Sequence, residues 1–134
     1  MAGLMIKMPA GDRIVLNGAV VENAGRGARL RILTPDTQLL RLRDAIDPGQ
    51  ATTPVSRVAH AIQLMLVGEV TPSAGLTETM EALLALRHAF VDSSDRDGID
   101  AIMGLLEEGR FYQALRRIGP LRDKEAVLLS ACSS

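Results

Sequence analysis

Five arginines fall within nineteen residues of this 134-residue chain, in the stretch 26-RGARLRILTPDTQLLRLRD-44. A guanidinium is a planar cation with several N–H donors, which makes it a good ligand for phosphate oxygens. The whole chain has a formal net charge of -1, so the arginines are a local feature and do not reflect a basic composition. The stretch therefore indicates a site for a polyanion, with a solvated strand face as the alternative.

Arginines alternate with apolar residues on both sides of the turn at residues 34–37, which is the period of a β-strand. The alternation predicts a hairpin whose two strands carry Arg29, Arg31, Arg41 and Arg43 on one face, with Arg31 near Arg41. Like charges opposite each other in a sheet are destabilising. A bound phosphate chain would offset that repulsion, so these four arginines are the predicted RNA-binding residues.

Single-stranded RNA fits this hairpin better than duplex DNA does. The sequence has no long basic helix that could lie in a major groove. The basic half also has no aromatic side chain on which bases could stack. Recognition would therefore rest on arginines, strand-edge backbone groups and phosphate contacts.

Short apolar stretches separated by turn signals fill the first half of the chain, and Asn17-Gly18 is the strongest hairpin signal among them. The predicted strands cover residues 4–8, 13–16, 19–22, 28–33 and 38–42. Their spacing is typical of an antiparallel meander or a small barrel. Exposed edge strands in such a sheet need covering, so we expect a homo-oligomer.

The second half changes to a helical period, beginning at Thr53-Pro54, a typical helix start. Five helices are predicted, over residues 53–68, 71–91, 94–109, 110–118 and 121–131, with a break at Gly119-Pro120. The fold class is therefore α+β. Residues 1–48 form a small antiparallel β-sheet or barrel that binds RNA, and residues 49–134 form a helical bundle for partner docking or oligomerisation.

The charges of the two halves differ in sign. Residues 1–57 have an excess of three positive charges, and the remainder has an excess of four negative charges. Either the halves have different partners or the asymmetry is chance. No apolar stretch reaches membrane-spanning length, which favours a cytoplasmic protein with no membrane partner.

Candidate catalytic and metal sites are weak. Residues 92–97 hold three carboxylates but lack the calcium-loop spacing, so a helix-capping linker is the better interpretation. His60 and His88 have no nearby metal-binding partner, and Cys132 is the single cysteine. We expect no enzyme activity, cofactor or metal.

Three further residues each leave two interpretations open. Phe111 and Tyr112 could anchor the helical core, or they could contact a protein partner, because aromatic residues are enriched at binding hot spots. Arg57, early in the first helix, could tie the helices to the sheet or add to the basic surface.

Four stretches together resemble the FlbT family of flagellum-biosynthesis repressors. They are 11-GDRIVLNGAVVEN-23 with 39-LLRLRDAI-46, then 52-TTPVSRVAHAIQLM-65, then 107-EEGRFYQALRRIGPLRDKEA-126. The resemblance implies a post-transcriptional regulator that associates with the 5′ untranslated region of flagellin mRNA and promotes its decay. It also implies the small flagellar regulator FlaF as a partner.

Residues 3–46 are also similar to the carbon-storage-regulator class of translational repressors, which are small β dimers. In that class an arginine near the end of the last strand contacts RNA, and Arg43 is the matching position. Two functions remain open. One is an RNA-binding repressor of flagellin synthesis, and the other is a protein–protein adaptor that acts without direct RNA contact.

Overall fold

The computed structural model describes residues 4–17, 19–34, 37–42 and 45–132. Within these residues, five strands in two small antiparallel sheets precede four helices, so the α+β class is confirmed. The strands are β1 (Leu4–Met8), β2 (Arg13–Leu16), β3 (Ala19–Glu22), β4 (Ala28–Ile32) and β5 (Leu39–Arg41). All five predicted stretches are strands, with the last two slightly shorter than predicted.

The hairpin between β2 and β3 is confirmed. The strands pair in antiparallel register from Arg13 opposite Glu22 to Leu16 opposite Ala19. Asn17 opens the turn with a positive φ of 50°, a left-handed conformation that asparagine tolerates better than most residues. Gly18 lies outside the described residues.

The predicted pairing of β4 with β5 is wrong. In the described part of the chain β1 pairs with β4, while β2 lies between β3 and β5. The reason is that β5 is buried on both faces: Leu39 packs in a cluster with Met8 and Ile14, and Leu40 packs against the helices. A strand covered on both sides cannot share a solvent-exposed arginine face with β4.

The helices follow a 3-10 turn at Pro48–Gln50. They are α1 (Pro54–Leu66), α2 (Pro72–Ala89), α3 (Ser93–Glu107) and α4 (Phe111–Cys132). The predicted start of α1 is confirmed, since the Thr53 side chain accepts a hydrogen bond from the Ser56 backbone N–H. The N-cap of α3 is Asp92, slightly earlier than the predicted Ser94 or Asp95.

The predicted break at Gly119-Pro120 is wrong, because α4 continues through Pro120. Proline inside a helix removes one hydrogen bond and costs about 3 kcal/mol. Ile118 and Leu121 flank this position and are both buried in the helical core. Their burial contributes about 1.5–3 kcal/mol each, enough to keep the two segments in one helix.

The sheets and helices share packing. Leu40 and Ile46, from the strand half of the chain, belong to the same buried cluster as the helices. Tyr112 of α4 packs against both this cluster and the smaller cluster inside the sheets. A division into domains at residue 48, and the helical bundle, stay predictions.

Candidate nucleic-acid interface

The candidate interface is the outer face of the two-stranded ribbon formed by β1 and β4. Lys7 lies opposite Arg29, and Met5 lies opposite Arg31. Because side chains alternate along a strand, these four residues share one face. The opposite face is anchored by the buried side chain of Ile6, which packs inside the sheets. We call Lys7, Arg29 and Arg31 the cationic ribbon.

Among the residues that the structure describes, no acidic side chain pairs with the cationic ribbon. None of its three side chains forms an ion pair or a side-chain hydrogen bond with a residue that the structure describes. All three residues are exposed. Lys7 and Arg29 carry like charges directly opposite each other, which is destabilising by about 0.2–1 kcal/mol. A phosphate lying across the pair would remove that repulsion.

Arg41 contacts the backbone of the cationic ribbon, but its charge is paired with Asp12 and is not added to the exposed face. Its Nη2 lies 3.0 Å from the Asp12 Oδ2 and also donates to the Lys7 carbonyl oxygen. The side chains of Arg41 and Asp12 are only 16% and 13% exposed. The prediction that Arg31 and Arg41 lie side by side across a hairpin is therefore wrong. Arg41 lies in an ion pair that joins β5 to the end of β1.

The carboxylate that holds Arg41 comes from the turn between β1 and β2. Gly11 takes a φ of 79°, a left-handed conformation that favours glycine, and Asp12 donates its backbone N–H to the Pro9 carbonyl. Asn23 donates its backbone N–H to the Asp12 carbonyl and closes the turn. The Gly-Asp pair before β2 was visible in the sequence, but its partner was not, since β5 lies far along the chain.

The remaining residue of the predicted RNA-binding set, Arg43, lies outside the described residues. The RNA-binding role of Arg29, Arg31, Arg41 and Arg43 stays a prediction. Two of the four, Arg29 and Arg31, lie together on β4, and Lys7 of β1 joins them, whereas Arg41 of β5 is paired with Asp12. Sequence reasoning missed Lys7 because the pairing of β1 with β4 joins residues far apart in the chain.

A sequence model of the family described as "Flagellar protein FlbT" matches residues 4–129. The chain belongs to the FlbT family. The match includes the β1–β4 ribbon, the Arg41–Asp12 pair and all but the last residues of α4. The FlbT resemblance noted in the sequence is thereby confirmed.

Curated relatives extend the FlbT assignment over most of the chain. The protein is 28% identical over 128 residues to the "Probable flagellum biosynthesis repressor protein FlbT" of Brucella ovis, covering 96% of this chain and 83% of the relative. The proteins of that name from Brucella anthropi and Brucella suis are also 28% identical, over 126 and 128 residues, with 94% and 96% of this chain covered and 82% and 83% of the relatives. No solved structure matches the chain.

The two aromatic residues at the start of α4 in this FlbT-family chain have different surroundings. Phe111 is buried in the helical core, as the core-anchor interpretation expects. Tyr112 is partly exposed, and the guanidinium carbon of Arg116 lies 5.9 Å from its ring centroid. A partner-binding role for Phe111 and Tyr112 stays a prediction, and only the Tyr112 ring is accessible from outside.

Arg57 lies exposed on α1, beside a groove between α1 and α2. It forms no hydrogen bond or ion pair with the described residues of the sheets. The structure therefore places Arg57 on the surface of the helices and shows no contact that would tie it to the described residues of the sheets.

The acidic run at residues 92–97 lies at the start of α3 and is joined to α4 by ion pairs. The Lys124 ammonium lies 2.8 Å from the Asp92 Oδ2 and also donates to the Asp95 carboxylate. The hydrogen bond from Lys124, followed by its charge, lowers the pKa of Asp92. The hydrogen bonds to Asp92 and Asp95 raise the pKa of Lys124. These contacts join the start of α3 to α4, and the helix-capping role of the run stays a prediction, since the Asp92 side chain makes no capping hydrogen bond.

The described residues contain no cluster of three or more histidine, cysteine, aspartate or glutamate side chains that could hold a metal ion. Among the same residues, no helix combines the length and apolarity needed to cross a bilayer.

Proposed function

We propose that this protein represses flagellum biosynthesis after transcription, by associating with the 5′ untranslated region of flagellin mRNA and promoting its decay. The family and the repressor name of the relatives support the regulatory part of this proposal. The observation that supports RNA contact is the cationic ribbon, whose three exposed cations share one face without an acidic partner among the described residues. The action is cytoplasmic and needs no catalytic residue.

Replacing the cationic ribbon tests the proposal. The triple variant Lys7→Ala, Arg29→Ala, Arg31→Ala should bind flagellin leader RNA about tenfold to a hundredfold more weakly. With fewer phosphate contacts, binding releases fewer counterions from the RNA and gains less free energy. Its salt dependence should flatten by about 2 in the log–log slope, since a single-stranded contact contributes about 0.7. Fluorescence anisotropy with labelled leader RNA measures both quantities.

The matched control removes three arginines elsewhere, with Arg57→Ala, Arg87→Ala and Arg122→Ala. If the control and the cationic-ribbon variant lose the same affinity, the ribbon is not an RNA-binding face and the proposal is wrong. In cells, the ribbon variant should lengthen the half-life of flagellin mRNA, while the control should not.

A second candidate function, a protein adaptor for the partner FlaF, is favoured by the groove between α1 and α2. This groove has a volume of about 630 Å³ and is lined by small residues, including Ala61, Ala82 and Ala85. Binding of purified FlaF after nuclease treatment, together with no RNA affinity above that of an albumin control, would favour the adaptor over the repressor.

We also propose that the chain forms homo-oligomers through β3. β3 is an edge strand that is exposed on both faces, and Val20 is 65% exposed. An exposed apolar edge strand can pair with another chain, which would cover it. Lysine at an edge strand opposes strand pairing, so Val20→Lys should lower the average mass measured by light scattering. Val91→Lys, at an exposed apolar residue outside the strands, should not. A monomeric parent protein at high micromolar concentration would contradict the proposal.

A further inference from the structure

A second concave surface lies where the first sheet meets the last helix. It is a groove of about 1050 Å³, open to solvent, which we call the α4 groove. Leu4, Ile32 and Leu33 form its apolar wall at the end of the β1–β4 ribbon, and the opposite wall carries Tyr112 and the arginines of α4. This volume is at the upper end of the range of small-molecule sites and exceeds what one nucleotide needs.

The α4 wall of the groove carries stacking surfaces. Tyr112 is the single tyrosine of the chain, which has no tryptophan. Its ring lines the groove beside the guanidinium of Arg116. Aromatic rings and guanidinium planes are the surfaces on which unpaired RNA bases stack. The basic half of the sequence has no aromatic residue, but the fold places Tyr112 at the end of the β1–β4 ribbon.

Among the described residues that line the α4 groove, cations outnumber carboxylates. Arg116 and Arg117 are exposed, and Arg117 has no ion pair or side-chain hydrogen bond to a described residue. Arg110 is paired with Glu108, its Nε lying 3.3 Å from the Glu108 Oε2. Two further charged groups line the groove, Lys124 and Asp95, and they pair with each other. No carboxylate of the described residues occupies Arg116 or Arg117, so both can take an anion.

We propose that the α4 groove binds nucleotides of single-stranded RNA, with a base stacked on Tyr112 and phosphates held by Arg116 and Arg117. The inference rests on the proposed function, since it assigns a second contact for the same RNA. An acidic protein segment would also satisfy the arginines, but only its apolar residues could use the ring, whereas every nucleotide of RNA can do both. RNA uses both, because each nucleotide carries a charge and a planar apolar face.

The α4 groove and the cationic ribbon adjoin each other on β4. Ile32 lines the groove, while the preceding residue, Arg31, lies on the outer face of the ribbon. Within the described residues, β4 pairs only with β1, so its other edge is open. A strand of RNA leaving the groove can cross this edge and reach Arg31 and Arg29.

Tyrosine fluorescence reports on this groove without a label, because Tyr112 is the single tyrosine. Unlabelled flagellin leader RNA should quench the emission of the full-length protein, since a stacked base quenches the ring. The quenching curve should give the affinity that anisotropy gives with labelled RNA. Free tyrosine amide titrated with the same RNA corrects for absorbed light.

Variants separate the groove from the ribbon. Arg116→Ala with Arg117→Ala should weaken RNA binding roughly tenfold and lower the log–log salt slope by about 1.4, as expected for two lost phosphate contacts. Arg122→Ala with Arg57→Ala removes the same charge outside the groove and should have a smaller effect. Tyr112→Phe should retain the affinity, and Tyr112→Leu should lose it roughly tenfold.

Each outcome decides one proposal. RNA binding with unchanged tyrosine emission, or equal losses for the two arginine pairs, overturns the α4 groove and leaves the cationic ribbon intact. Quenching by polyglutamate to the same extent as by RNA also overturns it, in favour of an acidic protein segment. Absence of RNA binding by anisotropy overturns the proposed function itself, and the groove inference with it.

Discussion

Gln63→Leu should lower the free energy of unfolding by about 3 kcal/mol. Gln63 is buried in α1 and clamps the backbone of Ile46, on the segment that leads from β5 to the helices. Its Oε1 accepts from the Ile46 N–H at 2.7 Å, and its Nε2 donates to the Ile46 carbonyl at 3.0 Å. Leucine fills a similar volume but leaves both buried backbone groups unpaired, at about 1–3 kcal/mol each.

Urea denaturation of the variant and the parent measures this change. Gln113→Leu is the matched control, because Gln113 is exposed on α4 and should change stability by no more than about 0.5 kcal/mol. A loss of stability below about 1 kcal/mol for Gln63→Leu would show that water hydrogen-bonds to the Ile46 backbone in place of Gln63. The expected loss would assign a structural role, at the junction of sheet and helices, to Gln63. This residue lies in the stretch 52–65 that resembles the FlbT family.

Asp12→Ala should destabilise the protein by about 2–3 kcal/mol, through the charge that it leaves behind on Arg41. Both side chains are mostly buried, and removing one partner of a buried ion pair is costly because the other charge stays desolvated. The double variant should lose less stability than the sum of the losses in Asp12→Ala and Arg41→Ala, and the difference, the coupling energy, should be about 1–2 kcal/mol.

Arg13 provides the control for the Asp12 prediction. Its Nε lies 2.7 Å from the Glu22 Oε1, but the two side chains are 61% and 46% exposed. Exposed pairs contribute about 0–1 kcal/mol, so Arg13→Ala should have a small effect. Equal losses for Asp12→Ala and Arg13→Ala would show that the Arg41 pair is solvated. A stable Arg41→Ala variant that loses RNA affinity would instead restore Arg41 to the RNA-binding set.

The contrast between Arg41 and the cationic ribbon separates two roles for arginine in one short stretch. Arg29 and Arg31 lie exposed on β4, where nothing among the described residues neutralises them. Arg41 lies against Asp12 and the Lys7 carbonyl, where it holds β5 to the end of β1. We expect loss of Arg41 to appear first in stability, and loss of Arg29 and Arg31 to appear first in RNA affinity.

The sequence by itself determined the features that depend on neighbouring residues. Thr53-Pro54 marked the start of α1, Asn17 marked the β2–β3 turn, and short apolar stretches between turn signals marked all five strands. Each of these signals acts through local φ, ψ and hydrogen-bonding preferences, which are legible in a short window. The family-like stretches likewise identified the FlbT relationship without coordinates.

Only the tertiary structure decided which strands pair and which cations remain free. β4 pairs with β1 because β5 is needed between the sheet cluster and the helices, and that choice brings Lys7 beside Arg29 and sends Arg41 to Asp12. The same packing keeps α4 continuous through Pro120 and brings Tyr112 to the end of the ribbon. These outcomes depend on burial shared between residues far apart in the chain, which no local pattern encodes.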